Sequence, residues 1–321
     1  MRITLEQAVK LLSENDRMLI LTHTHPDGDT LGSGFSLCYA LRSIGKKVNV
    51  LCPDSISEDY SLITEGYEAQ NFEADYIVSV DVASSEMLGK FDEQYGSRVD
   101  LCIDHHGSNS GYAENLLMVH CAATTELIFS IIKEMKIPVT KKIADCIYVG
   151  ISTDTGCFKY ANTTASTHRI AAELIEAGAD YATVNRIFFD TKTKNYVKLE
   201  KMAMAGLEMH FDDRCAIMCI TKEMIEKSNA TQEDCAKLAP ITRQIEGVLV
   251  GAVIREQDDG NFKASVRTQA GINASKLCER LGGGGHAAAA GCTLYGSLEE
   301  SKKMLLDNIE EVLNDRDNTD K

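Results

Sequence analysis

The chain has 321 residues, enough for two domains of ordinary size, each with its own hydrophobic core. Hydrophobic residues make up 44% and charged residues 25%, which is the balance of an ordinary globular protein. Lys and Arg number 33 against 48 Asp and Glu, so the net charge is −15. This acidity counts against tight, sequence-independent binding of long nucleic acid, because such binding depends on neutralising phosphates with Lys and Arg. A small local site for a phosphorylated ligand is compatible with it.

Hydropathy and cysteine usage exclude further classes of protein. No stretch of 18 or more apolar residues is present, so the sequence predicts no membrane span. Residues 1–15 lack the basic and apolar regions of a signal peptide. The 11 cysteines are odd in number, dispersed and without a CxxC pair, which indicates buried thiols rather than a disulfide framework or a zinc ribbon. We therefore expect a cytoplasmic protein.

The first half of the chain alternates short apolar runs with amphipathic segments, which is typical of βαβ units. The predicted strands are residues 17–22, 47–52, 76–80, 99–103 and 114–119. The predicted helices are residues 4–14, 31–44, 124–135, 141–151, 167–177 and 181–189. We therefore expect an α/β fold whose N-terminal domain, residues 1–190, has a Rossmann-like, mostly parallel sheet with helices on both faces.

The pattern of the second half predicts a smaller α+β domain over residues 211–315. A long amphipathic segment over 192–209 predicts a linker helix, placed at 191–210, between the two domains. Further strands are predicted at 215–221, 248–255, 262–267 and 292–295, and helices at 274–281 and 298–313. Residues 316–321 are polar and predict a flexible tail.

The first chemically rich segment follows the first predicted strand. His23, Asp27 and Asp29 surround a turn forced by Pro26 and Gly28. In an open parallel sheet, ligand sites lie beyond the carboxyl ends of the strands, so these three side chains could converge on a divalent cation such as Mn²⁺ or Mg²⁺. The alternative is a capped turn, in which Asp27 or Asp29 begins the next helix.

Three more segments carry side chains of the same kind. Asp81 ends the third predicted strand, where it could bind a ligand or cap a short helix. Asp104, His105 and His106 follow the fourth strand, and we favour function there over a polar loop. Asp104 could orient one imidazole while His105 binds metal and His106 faces the substrate. Asp154 ends a helical segment, where it could be a ligand or part of a helix end.

Together these segments bring four carboxylates and two or three imidazoles to one edge of the predicted sheet. Four ionised carboxylates in one place would repel one another and raise their own pKa values. Two divalent cations would offset that charge, polarise a phosphoryl oxygen and lower the pKa of a water molecule. The combination predicts phosphoester hydrolysis without a protein nucleophile.

Four consecutive glycines, residues 282–285, precede His286 and a run of alanines. Glycine backbone N–H groups can approach an anion closely, and the alanines could start a helix whose N-terminus attracts phosphate. The segment is not a Walker A loop, and the alternative is a flexible hinge. His286 favours ligand binding, and Arg267 at the end of a predicted strand could hold the same anion or form a surface salt bridge.

These motifs, in this order, resemble the DHH phosphoesterase superfamily, and the glycine run with His286 resembles the C-terminal DHH-associated domain of NrnA-type oligoribonucleases (nanoRNases). The resemblance implies two divalent cations, usually Mn²⁺, with Mg²⁺ or Co²⁺ as substitutes. The implied ligands are His23 and Asp27 for the first ion, Asp29, His105 and Asp154 for the second, and Asp81 as a bridge.

The resemblance also implies roles in binding and catalysis. His106 would contact the scissile phosphate or the leaving group, and Asp104 would support the histidine pair. The rest of the substrate would be held by Arg267, Gly283, Gly284, Gly285 and His286. Implied substrates are oligonucleotides of two to five residues and 3′-phosphoadenosine 5′-phosphate (pAp), and a homodimer is a reasonable expectation.

Other functions within and beyond the superfamily remain as alternatives. A phosphodiesterase for cyclic dinucleotides or for pApA would use the same metal ligands. A RecJ-like single-strand exonuclease needs a long basic groove with stacking aromatics. The chain has 6% aromatic residues, no Trp and a negative net charge, and these features argue against that function. A non-catalytic nucleotide-binding protein would have no need of the full set of metal ligands.

Overall fold

The computed structural model describes residues 1–269 and 271–319, apart from the side chains of His286 and residues 317–319. The chain divides into two compact units, Met1–Thr191 and Lys192–Lys321, each with its own hydrophobic core. Both units combine a β-sheet with helices, which confirms the predicted α/β class. Within the described residues, none of the helices has both the length and the apolar character needed to cross a bilayer.

The sheet of the first unit is parallel throughout, with its strands in the order β2-β1-β3-β4-β5. The strands are β1 (Met18–Leu21), β2 (Val48–Leu51), β3 (Tyr76–Val80), β4 (Leu101–Asp104) and β5 (Asn115–Met118). Every residue of β3 and β4 is buried, which accounts for their almost unbroken apolar runs. Because β1 has β2 on one side and β3 on the other, the order of strands reverses there. A crevice opens at such a point, beyond the carboxyl ends of the strands.

The two faces of this sheet are covered differently. The helices are α1 (Leu5–Glu14), α2 (Gly28–Ser43), α3 (Ser61–Thr64), α4 (Asp92–Tyr95), α5 (Thr124–Glu134), α6 (Lys141–Asp154), α7 (Ala165–Glu176) and α8 (Tyr181–Asn185). α1, α2, α5 and α6 bury one face in the main core, with Ile20, Val78 and Ile103. On the other face, Leu21 and Ile77 pack under short helical segments and loops instead of long helices.

Two helices of the first unit are longer than predicted, and both extensions bear on the candidate site. α2 begins at Gly28 instead of residue 31, because the Asp27 carboxylate accepts hydrogen bonds from the first backbone N–H groups of the helix. α6 continues beyond residue 151 to Asp154. α6 also approaches α5 closely at Gly150, where a Cβ atom would lie 2.4 Å from a Thr125 methyl group. Only glycine fits between the two helices there.

The second unit is a mixed sheet in the order β10-β11-β9-β8-β7-β6, in which only β7 and β8 pair in parallel among the described residues. Its strands are β6 (Glu208–His210), β7 (Cys215–Ile220), β8 (Val250–Glu256), β9 (Phe262–Thr268), β10 (Gly284–His286) and β11 (Ala289–Leu294). Its helices are α9 (Lys194–Ala205), α10 (Lys222–Ser228), α11 (Gln232–Ala236), α12 (Ala239–Arg243), α13 (Ala274–Glu279) and α14 (Leu298–Thr319). α13 and α14 contribute to one core cluster, and α9, α11 and α12 to another.

The secondary structure of the second unit differs from three predictions. The predicted linker helix ends at Ala205, and residues 208–210 form β6, which pairs with β7. The alanine run does not start a helix: it enters β11, which pairs with both β9 and β10. Ladder pairing on two sides outweighs the helix propensity of alanine. α14 continues to Thr319, so residues 316–319 of the predicted tail belong to a helix, while residues 320 and 321 lie outside the described part.

The cysteines agree with the sequence analysis. All 11 are free, and most of them are buried, including Cys38, Cys102 and Cys146. Burial raises the pKa of the Cys38 thiol to about 12, so it is a packing group rather than a reactive thiolate.

Candidate functional site

The turn after β1 brings three of the predicted ligands to the carboxyl edge of the first sheet. His23 is buried, and its Nε2 atom lies 3.6 Å from Asp27 Oδ1 and 3.6 Å from Asp81 Oδ2. Asp27 Oδ1 also accepts hydrogen bonds from the backbone N–H groups of Asp29 and Thr30, at 3.0 and 3.1 Å. Asp27 therefore caps α2 and faces the histidine at the same time, so the two interpretations of this turn are compatible.

Asp81 lies directly after β3 and is almost completely buried. Its backbone adopts a left-handed conformation with φ of 60°, which is uncommon outside glycine and costs about 1–3 kcal/mol. The helical segment that follows, Ser85–Phe91, has no side-chain hydrogen bond at its N-cap, so the alternative that Asp81 caps it is wrong. Its Oδ2 atom faces His23, while Oδ1 lies 3.6 Å from His105 Nε2. One carboxylate thus presents a different oxygen to each of two imidazoles.

His105 follows β4 and joins the remaining carboxylates. Its Nε2 atom lies 3.6 Å from Asp154 Oδ2, on the last residue of α6, and 3.9 Å from Asp29 Oδ2, in the first turn of α2. Asp29 is buried and Asp154 is partly exposed, with 29% of its side chain accessible. The structure therefore brings together all six side chains that were predicted as metal ligands.

Together with His106, these side chains form overlapping groups, and the possible ligand atoms within each group lie within 4.8 Å of one another. Asp81 belongs to two of the groups, and His105 belongs to two. Among the described residues, the groups are His23, Asp27 and Asp81; Asp29, His105 and Asp154; and Asp81, His105 and His106. Groups that share members in this way are suited to two neighbouring cations rather than to one.

The hydrogen bonds of two histidines determine which ring nitrogen can bind a cation. His23 Nδ1 lies 2.7 Å from the Thr24 carbonyl oxygen, and His105 Nδ1 lies 3.1 Å from that of Cys121. A carbonyl oxygen only accepts, so both Nδ1 atoms donate their protons. In the neutral ring the lone pair is then on Nε2, which in both residues faces the carboxylates.

The third histidine of the site is bonded differently. His106 Nδ1 lies 2.8 Å from Asp104 Oδ1, and that carboxylate also accepts from the backbone N–H groups of His105 and His106 and from the Asn109 side chain. Asp104 is completely buried, whereas a third of the His106 side chain is exposed. The hydrogen bond to Asp104 raises the pKa of His106 to about 9, against the effect of burial.

The pKa values show the electrostatic cost of this arrangement. Burial, and then the charges of Asp81 and Asp154, raise the pKa of Asp29 well above its usual value. Burial also raises the pKa of Asp154 to about 7. Burial opposes protonation of His23, but hydrogen bonds with Asp27 and Asp81 raise its pKa to about 10. The site therefore attracts positive charge, as a set of cation ligands does.

The N-terminus of α5 contacts two of the carboxylates, a feature that the sequence analysis missed. The backbone N–H groups of Thr124 and Thr125 donate to Asp29 at 2.6 and 2.9 Å, and the Thr125 hydroxyl donates to Asp29 at 2.8 Å. The Thr124 hydroxyl donates to Asp81 Oδ1 at 2.8 Å. The signal available in the sequence was the pair of threonines at a predicted helix start, which usually indicates capping only.

The predicted substrate residues lie in the second unit, along a surface groove. A cavity of about 560 Å³ is lined by Arg267 and Ser265 of β9, by Gly283, Gly284 and Gly285, and by β11. Arg267 Nη1 donates to the Val266 carbonyl oxygen at 3.0 Å. The side chain of His286 lies outside the described part of the structure, although its backbone belongs to β10.

Comparison with known proteins identifies a domain family for each of the two units. Residues 17–151 match the DHH family, N-terminal domain, and residues 213–315 match the DHHA1 domain. The bifunctional oligoribonuclease and PAP phosphatase NrnA of Thermus thermophilus is 31% identical over 305 residues, which cover 92% of this chain and 89% of the relative. The protein of the same description from Bacillus subtilis is 28% identical, with 94% of this chain and 96% of the relative covered.

A solved structure extends the similarity to the whole fold. An exopolyphosphatase-related protein from Bacteroides fragilis superposes with a TM-score of 0.87 and 25% identity, and the match covers 96% of this chain and 95% of that chain. Both units are therefore accounted for, and the resemblance drawn from the ordered motifs is confirmed. The chain belongs to the DHH family of phosphoesterases, in the group that pairs a DHH domain with a DHHA1 domain.

Proposed function

We propose that this phosphoesterase hydrolyses short oligoribonucleotides and pAp with the help of two Mn²⁺ ions. The observation that carries the proposal is the position of Asp81, whose two oxygens face different imidazoles in two overlapping groups of ligands. Two relatives named bifunctional oligoribonuclease and PAP phosphatase match more than nine tenths of this chain, which supports the choice of substrates.

The donor atoms present fit the proposed cations. They are carboxylate oxygens and neutral imidazole nitrogens without thiolates, a set suited to Mn²⁺ and less suited to a structural zinc ion. In this assignment His23 and Asp27 would hold one ion, and Asp29, His105 and Asp154 would hold the other. Asp81, which lies near both His23 and His105, would be shared between them. Cations bound there would supply Lewis acidity to a phosphoryl oxygen and lower the pKa of a water molecule.

His106 and Asp104 are assigned to the substrate rather than to a cation. Since His106 Nδ1 donates to Asp104, the Nε2 atom remains to donate a proton or a hydrogen bond to a phosphate oxygen. The partial exposure of His106 leaves it accessible, in contrast to the more buried His23 and His105. Asp104 holds the ring in this orientation and favours its charged form.

The remainder of the substrate is assigned to the groove in the second unit. The backbone of the glycine run and the guanidinium of Arg267 offer donors to phosphate or sugar oxygens. The residues in this role are Arg267, Gly283, Gly284, Gly285 and His286. The net charge of −15 favours substrates with few phosphates, because only local donors counter the repulsion.

An activity panel tests the proposal. The protein is freed of metal with chelator, reconstituted with Mn²⁺, and assayed on pAp, pApA, a five-residue RNA, a long single-stranded DNA and pyrophosphate. We expect turnover of the RNA and pAp and none without metal. Preferential degradation of the long DNA would favour a RecJ-like exonuclease, and preference for pApA a role in cyclic-dinucleotide turnover. Equal activity with and without Mn²⁺ would contradict the proposal.

A further inference from the structure

The N-terminus of α5 holds two carboxylates that come from different parts of the chain. Asp29 accepts two backbone N–H groups and one hydroxyl from Thr124 and Thr125, across 95 and 96 positions in sequence. Asp81 accepts the Thr124 hydroxyl across 43 positions. Thr124 is therefore the residue that touches both carboxylates, one through its backbone and one through its side chain.

Counting lone pairs shows what these hydrogen bonds leave available. Each carboxylate oxygen can accept about two hydrogen bonds or ligand contacts. Asp29 Oδ1 already accepts both the Thr125 N–H and the Thr125 hydroxyl, whereas Oδ2 accepts the Thr124 N–H alone among the described residues. Oδ2 is also the oxygen that faces His105. Asp29 can therefore offer one oxygen to a cation, and α5 determines which one.

The orientation of the carboxylate matters even more for Asp81 than for Asp29. To serve two ligand groups, its carboxylate must keep one rotation about the bond to Cβ, with Oδ2 toward His23 and Oδ1 toward His105. The Thr124 hydroxyl binds Oδ1 at 2.8 Å and leaves it a second lone pair. Thr124 is completely buried and Asp81 is 2% exposed, so solvent cannot replace this hydrogen bond.

We propose that Thr124 is a positioning residue whose hydroxyl fixes Asp81 in the orientation that serves both cations. The inference rests on the proposed two-metal function and adds a residue outside the ligand set. Without the hydroxyl, the carboxylate can turn so that both oxygens serve one ion, and the other ion then loses its shared ligand. Loss of a hydrogen bond that orients a ligand typically weakens metal binding 10–100-fold.

The test compares Mn²⁺ binding by the metal-free full-length protein and its variants, using calorimetry and electron paramagnetic resonance. Wild type is expected to bind two ions with a spin-coupled signal. Thr124→Val keeps the shape but loses the hydroxyl, and we expect one ion to bind 10–100-fold more weakly with loss of the coupled signal. Thr124→Ser keeps a hydroxyl and should therefore keep both the wild-type Mn²⁺ affinity and the coupled signal. The control is Thr22→Val, since Thr22 is buried and its hydroxyl has no hydrogen-bond partner among the described residues.

The outcomes separate this inference from the proposed function. If Thr124→Val still binds two Mn²⁺ ions with wild-type affinity and a spin-coupled signal, the role proposed for Thr124 is wrong and the two-metal proposal stands. Absence of an ion pair in wild type would overturn both. If Thr124→Val does not fold, as judged by circular dichroism, Thr124→Ala and Thr124→Ser form a second pair that differs by one oxygen atom. Equal Mn²⁺ binding by that pair would overturn the inference as well.

Discussion

Replacing Asp81 with asparagine tests the shared ligand while leaving the backbone undisturbed. The residue adopts a left-handed conformation, with φ of 60°, which asparagine tolerates better than alanine does. The amide keeps the size of the side chain but removes its charge and makes it a poorer cation ligand. Any change in metal response therefore reports on the carboxylate rather than on a strained main chain.

The expected magnitude follows from mass action. At a Mn²⁺ concentration 100 times Kd, each bound ion stabilises the native state by about 2.7 kcal/mol. For a cooperative unit of 150–250 residues, each kcal/mol shifts Tm by roughly 2–4 °C, so one ion raises the wild-type Tm by about 5–11 °C. Because Asp81 faces both ligand groups, Asp81→Asn should reduce the shift to below about 2 °C. Hydrolysis should fall at least ~1000-fold, or about 4 kcal/mol.

The metal-free protein should respond weakly. Burial and then the Asp81 charge raise the pKa of Asp29, so Asp81→Asn removes a repulsion there, but it also removes one of the hydrogen-bond partners that raise the pKa of His23. Because the two effects oppose each other, Tm in chelator should change much less than Tm in Mn²⁺. Differential scanning fluorimetry with chelator and with Mn²⁺ measures both effects. Asp145→Asn is the matched control, because Asp145 is equally buried but pairs with Lys141 at 2.8 Å. A full Mn²⁺ shift in Asp81→Asn would refute the shared-ligand argument.

Further predictions concern the neighbouring groups. His106→Ala should lower kcat about 10²–10⁴-fold in steady-state assays while the Mn²⁺-induced Tm shift persists, and loss of that shift would make His106 a ligand. Asp104→Asn should lower kcat roughly 10–100-fold by releasing the His106 ring. The pKa of His23 is raised to about 10 and that of Asp154 to about 7, so the native state binds more protons than the unfolded state. The Tm of metal-free protein should therefore fall from pH 5 to 9, and a rise in calorimetric scans would contradict this. Gly285→Ala would bring Cβ within 2.6 Å of Ala290 Cα and should raise KM at least ~10-fold with little change in kcat.

The candidate site residues that could be predicted best from the sequence are those that come soon after a β-strand. His23, Asp81 and His105 each come soon after a buried apolar run, and parallel strands place their carboxyl ends at one edge. Asp154 was harder to place, because it depends on where α6 ends, three residues beyond the predicted helix. Helix ends depend on local hydrogen bonds that apolar periodicity does not report.

The contacts of α5 could not be predicted from the sequence alone. Threonine at a helix start usually satisfies the helix itself, whereas Thr124 and Thr125 bind carboxylates that lie far away in the chain. The error in the alanine run has a similar origin. Local propensity favours a helix after Gly285, but pairing of β11 with β9 is decided by residues 22 to 32 positions earlier.

The distribution of the ligands along the chain has a consequence for biogenesis. His23 leaves the ribosome well before Asp154, which closes a helix 131 positions later. A nascent polypeptide that ends before α6 lacks one carboxylate and the support of Gly150 beside α5. Under the proposed ligand assignment, both cations can bind tightly only after translation has passed this point.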